Sequence, residues 1–475
     1  MSFTSVTYFL FVGISLLIYT IVPKRAKWCV LLGASAVYYV MAAGLRTLWL
    51  VAAILIVYGG GLLLGHLNDQ GKARRKAAAD KEEKKQIRKK YDAKKRAVVT
   101  VAVLGVFGLL IALKYVNFLG ESAYGIAGLF GSESAYQPVQ ILLPLGISYY
   151  TLCAVSYVVD VYRGKYKPER NFFKLALFLC FFPQMTEGPI GKYEIMMPRL
   201  VEGHSFDFER DAQAVMRIFW GMFKKMVIAD RANLFVTGVF DNGDQAGSMV
   251  LLGTLLYTVQ IYCEFSGCMD IVCATGQLFG VEMQENFRRP IFSKTINEFW
   301  QRWHITLGAW IKEYVFFSVS LSKGLMNLSK HTRKKLNDYF ANLVPMTFAL
   351  FCVWFFNGIW HGASWKYVLY GLYYYILMMI GMYLRPVSDK LLHALHIAPE
   401  SKGFALFQMV RTFLIVNVGM MLFRCHTISQ WGQSLARIFT DFDGACLTNG
   451  TVLSLGNDWQ DFLIMGIGVL VVGIV

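Results

Sequence analysis

Two histidines in apolar, tryptophan-rich surroundings are the residues of this sequence whose types and placement best suit chemistry. His304 follows Trp303, His361 follows Trp360, and further tryptophans are close by in the sequence. An imidazole can accept and return a proton near neutral pH. Ionisable side chains inside a membrane-embedded helix bundle are costly, and they commonly mark functional sites. Whether the two histidines carry chemistry therefore depends on whether this chain lies in a membrane.

The surroundings of His361 suit a general base. Gly358 and Gly362 leave room for backbone or substrate to approach the ring, Asn357 supplies an amide, and Trp360 supplies an apolar wall. A base here could take a proton from a hydroxyl group that attacks an acyl carbonyl. The residues alone fit a second interpretation equally well, in which His361 is a hydrogen-bonded histidine of an interfacial aromatic belt.

His304 follows Arg302 and Trp303 and precedes a short amphipathic stretch. It could position a phosphate or a pantetheine chain, with Arg302, Arg288 and Arg289 nearby in the sequence for anionic groups. The residues alone favour a simpler interpretation, an interfacial anchor.

Glu264 and Asp270 are acids within an apolar segment, which usually means that they line a polar cavity. Six residues separate them, so on a helix they point about 120° apart and do not form a carboxylate dyad. The chain has nine cysteines, but no Cys-x-x-Cys motif. These cysteines are interpreted as packing residues, and no metal site is expected.

The composition is that of a membrane protein. Of the 475 residues 56% are hydrophobic, and the mean hydropathy is +0.44. Nine apolar stretches approach or exceed the length that crosses a bilayer: 5–22, 28–43, 47–65, 97–113, 138–159, 248–263, 343–359, 367–384 and 404–423. The sequence therefore predicts an all-α polytopic integral membrane protein of about ten to twelve helices.

The positive charge is concentrated in alternate loops. The segment 66–96 carries thirteen Lys and Arg residues against five acids, whereas the predicted loop 119–137 carries only Glu121 and Glu133. This alternation predicts a multi-pass protein of the cell (plasma) membrane with its N-terminus outside. The net charge of +16 does not indicate nucleic-acid binding, because no stacking aromatic residues accompany the lysines. A solvated helical segment near anionic lipid headgroups is the preferred interpretation of 66–96.

A single membrane-embedded domain is expected over 1–475. Its predicted parts are N-terminal helices at 1–137, a core at 138–384 and C-terminal helices at 385–475. Within them, a short apolar run with a Pro- and Gly-bearing turn predicts a re-entrant element at 172–191, and mixed charges predict an interfacial or deeply packed helix at 212–238. The apolar run from Phe462 is still uninterrupted at Val475, so the native chain is expected to continue.

Seven motifs in order resemble the membrane-bound O-acyltransferase superfamily, in its bacterial branch of alginate O-acetyltransferases and D-alanyl-teichoic-acid transferases. The last two contain Arg-Trp-His-Ile and Trp-His-Gly-Ala-Ser-Trp. The motifs lie at 144–150, 157–162, 182–190, 260–270, 286–290, 299–307 and 360–365.

The resemblance implies a ring of helices around a central tunnel, where a cytoplasmic acyl donor meets an acceptor from the outer side. It implies that His361 is the catalytic residue and that His304 also acts in the reaction tunnel. Further expected lining residues are Trp303, Arg302, Asn357, Trp360, Glu264 and Asp270.

The function expected from this resemblance is transfer of an acyl group from a cytoplasmic thioester toward a cell-surface polysaccharide. Acetyl is the preferred acyl group. The expected donor is acetyl-CoA or an acyl-carrier protein, with no bound cofactor. The expected partner is a second membrane-anchored or extracytoplasmic transferase. An alternative within the family is D-alanyl transfer to teichoic acid. Alternatives from other classes are a transporter, which the absence of a sequence repeat disfavours, and a non-catalytic envelope scaffold.

Overall fold

The protein is all-helical in a computed structural model that describes residues 2–132, 134–243 and 245–474. These residues contain α-helices and short 3₁₀ and π turns but no β-strand, and one isolated antiparallel bridge joins Phe287 to Trp303. The first eleven α-helices are α1 Val6–Ile21, α2 Lys27–Ala43, α3 Thr47–Ala77, α4 Lys81–Leu110, α5 Val116–Leu129, α6 Ile147–Arg163, α7 Phe172–Cys180, α8 Phe182–Met185, α9 Tyr193–Glu202, α10 Phe208–Met222 and α11 Asp230–Asp241. The others are α12 Gly247–Leu278, α13 Ile296–Arg302, α14 Ile305–Ile311, α15 Phe317–Ser320, α16 Lys323–Thr332, α17 Asp338–His361, α18 Trp365–Tyr383, α19 Arg385–Ala394, α20 Lys402–Arg424, α21 Ile428–Thr440 and α22 Trp459–Ile474.

Membrane-crossing length is reached by five of the described helical stretches, and a sixth span results if α18 and α19, bent by 54°, are taken together. The five stretches are Lys24–Ala77, Lys81–Leu129, Gly247–Leu278, Asp338–His361 and Lys402–Arg424. The prediction of an all-α polytopic membrane protein is therefore confirmed. Helices α1 and α22 are apolar but shorter.

The predicted span 138–159 is wrong in its first part. Residues 138–144 have no regular structure, and α6 begins only at Ile147, after Pro144 and Gly146. Gly146 has φ +68°, a left-handed conformation that glycine adopts without strain. The apolar character of this stretch hid the helix-breaking effect of its prolines.

Two predicted loops contain more helix than expected. Residues 119–129 of the predicted loop 119–137 belong to α5, and Glu133 lies outside the described residues. The Asp- and Asn-rich stretch after the predicted span 404–423 suggests a loop that runs to about 460, but this stretch contains the amphipathic helix α21. The basic segment is helical as predicted, with one break at 78–80 between α3 and α4. Val475, on which the expectation of a longer chain rests, is also outside the described residues.

The chain divides into two compact units. The first comprises Met1–Arg217 and Val272–Gln284, and its helices α3, α4 and α6 pack closely. Gly60 of α3 lies against Ala102 of α4, and Gly61 lies against the ring of Tyr157 in α6. The predicted single domain with parts 1–137, 138–384 and 385–475 stays a prediction.

The second unit comprises Ile218–Ile271 and Glu285–Val475, and it contains both histidines of interest. One hydrophobic cluster of this unit joins α11, α12, α13 and α20 around residues such as Phe240, Phe299 and Met420. A second cluster joins α17, α18 and α20 around Trp354, Tyr370 and Tyr374. These clusters fix the helices that carry the candidate site.

Candidate active site

His361 is the last residue of α17, and the packing of α17 against α18 fixes its position. Gly358 lies so close to the backbone oxygen of Tyr367 that a β-carbon there would collide with it. Gly371 of α18 has the same relation to the backbone oxygen of Trp354. The two glycines therefore allow the helices to touch backbone to backbone, one turn from His361.

His304 is held by two antiparallel chain segments, residues 285–289 and 302–306, which we call the clip. The Arg288 amide donates to the Arg302 carbonyl at 3.0 Å, and the Ile305 amide donates to the Asn286 carbonyl at 3.0 Å. His304 has φ +48° and ψ 52°, a left-handed conformation that is rare for a residue with a side chain. Such strain persists only where surrounding structure enforces it, and it is common at functional sites.

The Asn286 side chain connects the clip to the first turn of α14. Its Oδ1 accepts hydrogen bonds from the Thr306 backbone amide at 3.0 Å and the Thr306 hydroxyl at 2.7 Å. His304 Nδ1 lies 3.5 Å from the same oxygen. A carboxamide oxygen only accepts, so this longer contact favours a proton on Nδ1 and a free electron pair on Nε2. Among the described residues, His304 Nε2 has no hydrogen-bond partner.

Both histidines line one cavity of about 380 Å³ in the second unit, which we call the histidine cavity. Its wall is mostly apolar, with tryptophans and aliphatic side chains, and Asn357 adds an amide one turn before His361. Residues four apart on a helix lie on one face, which explains why Asn357 and His361 share the cavity. The structure thus brings together four predicted site residues: Trp303, His304, Asn357 and His361.

Aromatic rings surround the two imidazoles. Trp360 contacts both, with ring centroids 5.7 Å from His304 and 5.1 Å from His361. The ring of His361 also contacts the rings of Tyr370, with centroids 5.7 Å apart, and Phe423, with centroids 5.3 Å apart. Burial lowers the pKa of His304 to about 3, and the neighbouring His361 lowers it further in the same direction. His304 is therefore neutral at physiological pH, and it can accept a hydrogen bond.

Arg302 and Asp270 line a different cavity of about 440 Å³, which we call the polar cavity. Asp270 forms an ion pair with Lys224 at 2.5 Å, and Lys224 also donates to the Ser266 hydroxyl at 3.0 Å. Arg302 forms an ion pair with Glu298 at 2.5 Å. These two predicted lining residues are therefore in a cavity wall, but not in the wall of the histidine cavity.

Glu264 lines neither of these two cavities. It forms an ion pair with Lys225 at 3.0 Å, and Lys225 also pairs with Asp230 at 2.6 Å. The sequence predicted that Glu264 and Asp270 point in different directions, and they do pair with different lysines. A role for Glu264 in the tunnel stays a prediction that this arrangement does not support.

Several residues of the site are not singled out by the sequence. Asn286 lies within the motif at 286–290, and this motif could have marked it as a site residue. Its contact with the start of α14 could not be predicted, because that contact depends on the clip. Lys224 is one of several charges in the predicted helix 212–238, and nothing in the sequence distinguishes it from the others. Tyr370 and Phe423 lie in long apolar helices, where nothing in the sequence distinguishes a site residue from a packing residue.

Residues 169–332 match the membrane-bound O-acyltransferase family. The chain is also 30% identical, over 92% of its length and 77% of the relative's, to a probable alginate O-acetylase of Azotobacter vinelandii. The chain belongs to the membrane-bound O-acyltransferase family. The resemblance seen in the motifs is thereby confirmed, and the chain is a membrane-embedded O-acyltransferase.

Two other relatives differ from each other in the group that their names say they transfer. The chain is 30% identical to a probable alginate O-acetylase of Pseudomonas putida, over 76% of its own length, and it spans 64% of that protein. It is 26% identical to a teichoic acid D-alanyltransferase of Bacillus subtilis, over 61% of its own length and 70% of the relative's. The family is thus shared by relatives that differ in the group they transfer.

Proposed function

We propose that this O-acyltransferase moves an acetyl group from a cytoplasmic thioester toward a hydroxyl of a cell-surface polysaccharide. The observation that carries the proposal is the placement of two imidazoles, those of His304 and His361, in the wall of one largely apolar cavity. An apolar cavity that excludes water favours transfer to an acceptor over hydrolysis of the thioester.

His361 is the proposed general base. Its imidazole takes the proton of the acceptor hydroxyl while the hydroxyl oxygen attacks the thioester carbonyl and forms a tetrahedral intermediate. Collapse of the intermediate breaks the carbon–sulfur bond, and the imidazolium returns the proton to the leaving sulfur. The ester and the free thiol are the products. A thioester is already an activated acyl group, so the proposal routes no step through a cofactor.

His304 has a different proposed role. A neutral imidazole with its electron pair on Nε2 can orient a donor or acceptor by accepting a hydrogen bond. Asn357 lies one turn before His361 in the same wall, and its amide can donate to the oxygen on which negative charge develops.

The lining of the histidine cavity favours acetyl over D-alanyl transfer. A D-alanyl group carries an ammonium, whereas the described lining residues include Lys312 and no acid. Burying a cation beside a lysine without a carboxylate is unfavourable. The similarity to probable alginate O-acetylases points in the same direction.

The proposal includes an orientation and a partner. The high positive charge of segment 66–96 supports a cytoplasmic location for this end of α3 and α4, and an outside location for the N-terminus of the chain. Positive charge on that face attracts coenzyme A or an acidic carrier protein. A second membrane-anchored or extracytoplasmic transferase would complete delivery to the polymer.

The test is acyl transfer by the purified protein in liposomes that contain an oligosaccharide acceptor. We expect release of free thiol from acetyl-CoA or from an acetylated carrier protein, with matching ester formation measured by mass spectrometry. A D-alanylated carrier should give at least tenfold less product. Preferential transfer of D-alanine would contradict the acetyl assignment. Absence of transfer from every thioester, with the partner transferase present, would contradict the proposed donor class.

A further inference from the structure

The polar cavity adjoins the same clip that holds His304. Arg302 lines the polar cavity, whereas the next two residues, Trp303 and His304, line the histidine cavity. Asn286 lines the polar cavity, and its Oδ1 faces His304 Nδ1. A ligand bound in the polar cavity would therefore lie close to the segment that positions an imidazole of the proposed reaction site.

The wall of the polar cavity carries an excess of positive charge. Its basic residues are Lys224, Arg288, Arg289 and Arg302, and its acids are Asp270 and Glu285. Lys224 is paired with Asp270, and Arg302 is paired with Glu298, which is not among the lining residues of this cavity. Arg288 and Arg289 are exposed residues of the clip.

The backbone of the clip presents these arginines in a constrained way. Arg289 has φ +47° and ψ 59°, and it is followed by Pro290. It is one of three residues other than glycine with positive φ in the described chain, and His304 is another. Arg302 Nη1 donates to the Arg289 carbonyl at 3.4 Å, so one side chain links the two segments of the clip. The two strained residues of the clip thus line different cavities: Arg289 lines the polar cavity, and His304 lines the histidine cavity.

The chemistry of the cavity identifies a ligand class. Arginine guanidinium groups present paired N–H donors that match the oxygens of a phosphate. A buried ammonium such as Lys224 adds a fixed charge whose position is set by Asp270 and Ser266. A neutral sugar hydroxyl has no need of several cations, whereas a phosphate ester does.

We propose that the polar cavity binds the phosphate ester of the pantetheine arm of the acyl donor, with Arg288 and Arg289 as its principal contacts. This inference rests on the proposed function, because it concerns the donor of that reaction. Coenzyme A and a carrier protein share this phosphate, so the proposal names their common chemistry. The thioester end of the arm then reaches the histidine cavity on the other side of the clip.

The test compares two small donors that differ only in the phosphate, acetyl-4′-phosphopantetheine and acetylpantetheine. For the wild-type protein in liposomes, we expect kcat/KM to be about 10- to 100-fold higher for the phosphorylated donor, the range of one or two charge-assisted contacts. In the double variant R288Q/R289Q, the preference should fall to about 3-fold or less. Turnover of acetylpantetheine should fall by a much smaller factor than turnover of the phosphorylated donor, because acetylpantetheine makes no phosphate contact.

Matched controls keep the outcome interpretable. R385Q removes an exposed arginine of α19 and should retain the full preference. If the double variant is unstable, R288Q alone takes its place, because Arg288 is exposed. R288Q should lose an intermediate part of the preference for the phosphorylated donor. A preference that persists in R288Q/R289Q, or an equal loss with both donors, would overturn the phosphate site. Failure of wild-type protein to use any thioester would instead overturn the proposed function. For active wild-type protein, a comparison of the KM of acetyl-CoA with the KM of acetylated carrier protein distinguishes the two natural sources of this phosphate.

Discussion

Replacing His361 by alanine is expected to lower the rate of acyl transfer by about 10²- to 10⁴-fold, the usual contribution of a general base. The variant leaves the acceptor hydroxyl without a group to take its proton, while the wall of the histidine cavity is otherwise retained. The measurement is ester formation per protein molecule in liposomes, normalised to the amount of folded protein. Donor KM should change little, because His361 acts on the proton and not on the donor arm.

Two variants serve as comparisons. H393A removes an exposed histidine at the end of α19 and should have wild-type activity. H304N tests the unequal roles of the two imidazoles, because asparagine tolerates the left-handed backbone of position 304. It should raise KM or lower the rate by about tenfold, clearly less than H361A does. A larger loss in H304N than in H361A would assign the base to His304.

The second large effect is expected on stability, from G358A. An added β-carbon at Gly358 collides with the backbone oxygen of Tyr367, so α17 and α18 must separate. Overpacking of this kind costs about 1–3 kcal/mol. Because His361 follows in the next turn of α17, the same displacement should reduce acyl transfer. Thermal unfolding in detergent and the transfer assay report the two effects separately.

The matched control is G381A, in the same helix pair. Gly381 of α18 has open space around the position of its β-carbon. Alanine favours helix over glycine by up to about 1 kcal/mol, so G381A should be neutral or slightly stabilising. Equal stability of G358A and G381A would show that α17 and α18 do not approach as closely as described.

Sequence alone was sufficient for the fold class, and it singled out two histidines whose roles stay a prediction. Long apolar stretches predict membrane helices because a helix satisfies all its backbone hydrogen bonds within one segment, where lipid offers no other partners. The motifs identified His304 and His361, and the structure brings both to one cavity. It was insufficient at 138–146, where hydrophobicity suggested a helix and two prolines prevented one.

The partition of polar residues between two cavities could not be predicted from sequence. Arg302 and Trp303 are neighbours, yet they line different cavities because the clip turns the chain at His304. Lys224 and Lys225 are also neighbours, and a π-helical turn at Phe223–Ala229 sets their directions toward Asp270 and Glu264. Such choices depend on local backbone geometry that residue types leave open.

Helix α21 shows a signal that could have been used. Thr427 caps its first turn by accepting from the Gln430 amide at 3.0 Å, and Gln430 accepts from the His426 amide at 2.7 Å. Thr427-Ile-Ser-Gln430 has the residue pattern of a capping box, which marks a helix start in sequence, although Gln430 accepts from the amide before the N-cap residue and not from the N-cap amide itself. The polar composition of the surrounding segment led instead to the prediction of a loop.

The most direct test of the central claim is affinity labelling with the bromoacetyl thioester of coenzyme A. An imidazole beside the bound acyl group displaces bromide and forms a nitrogen–carbon bond, which peptide mass spectrometry locates. We predict modification at His361 or His304, loss of acyl transfer in proportion to labelling, and protection by acetyl-CoA. Full modification of both histidines with undiminished transfer, or acetyl-CoA-protected labelling confined to residues outside the histidine cavity, would contradict the assignment of this cavity as the site of acyl transfer.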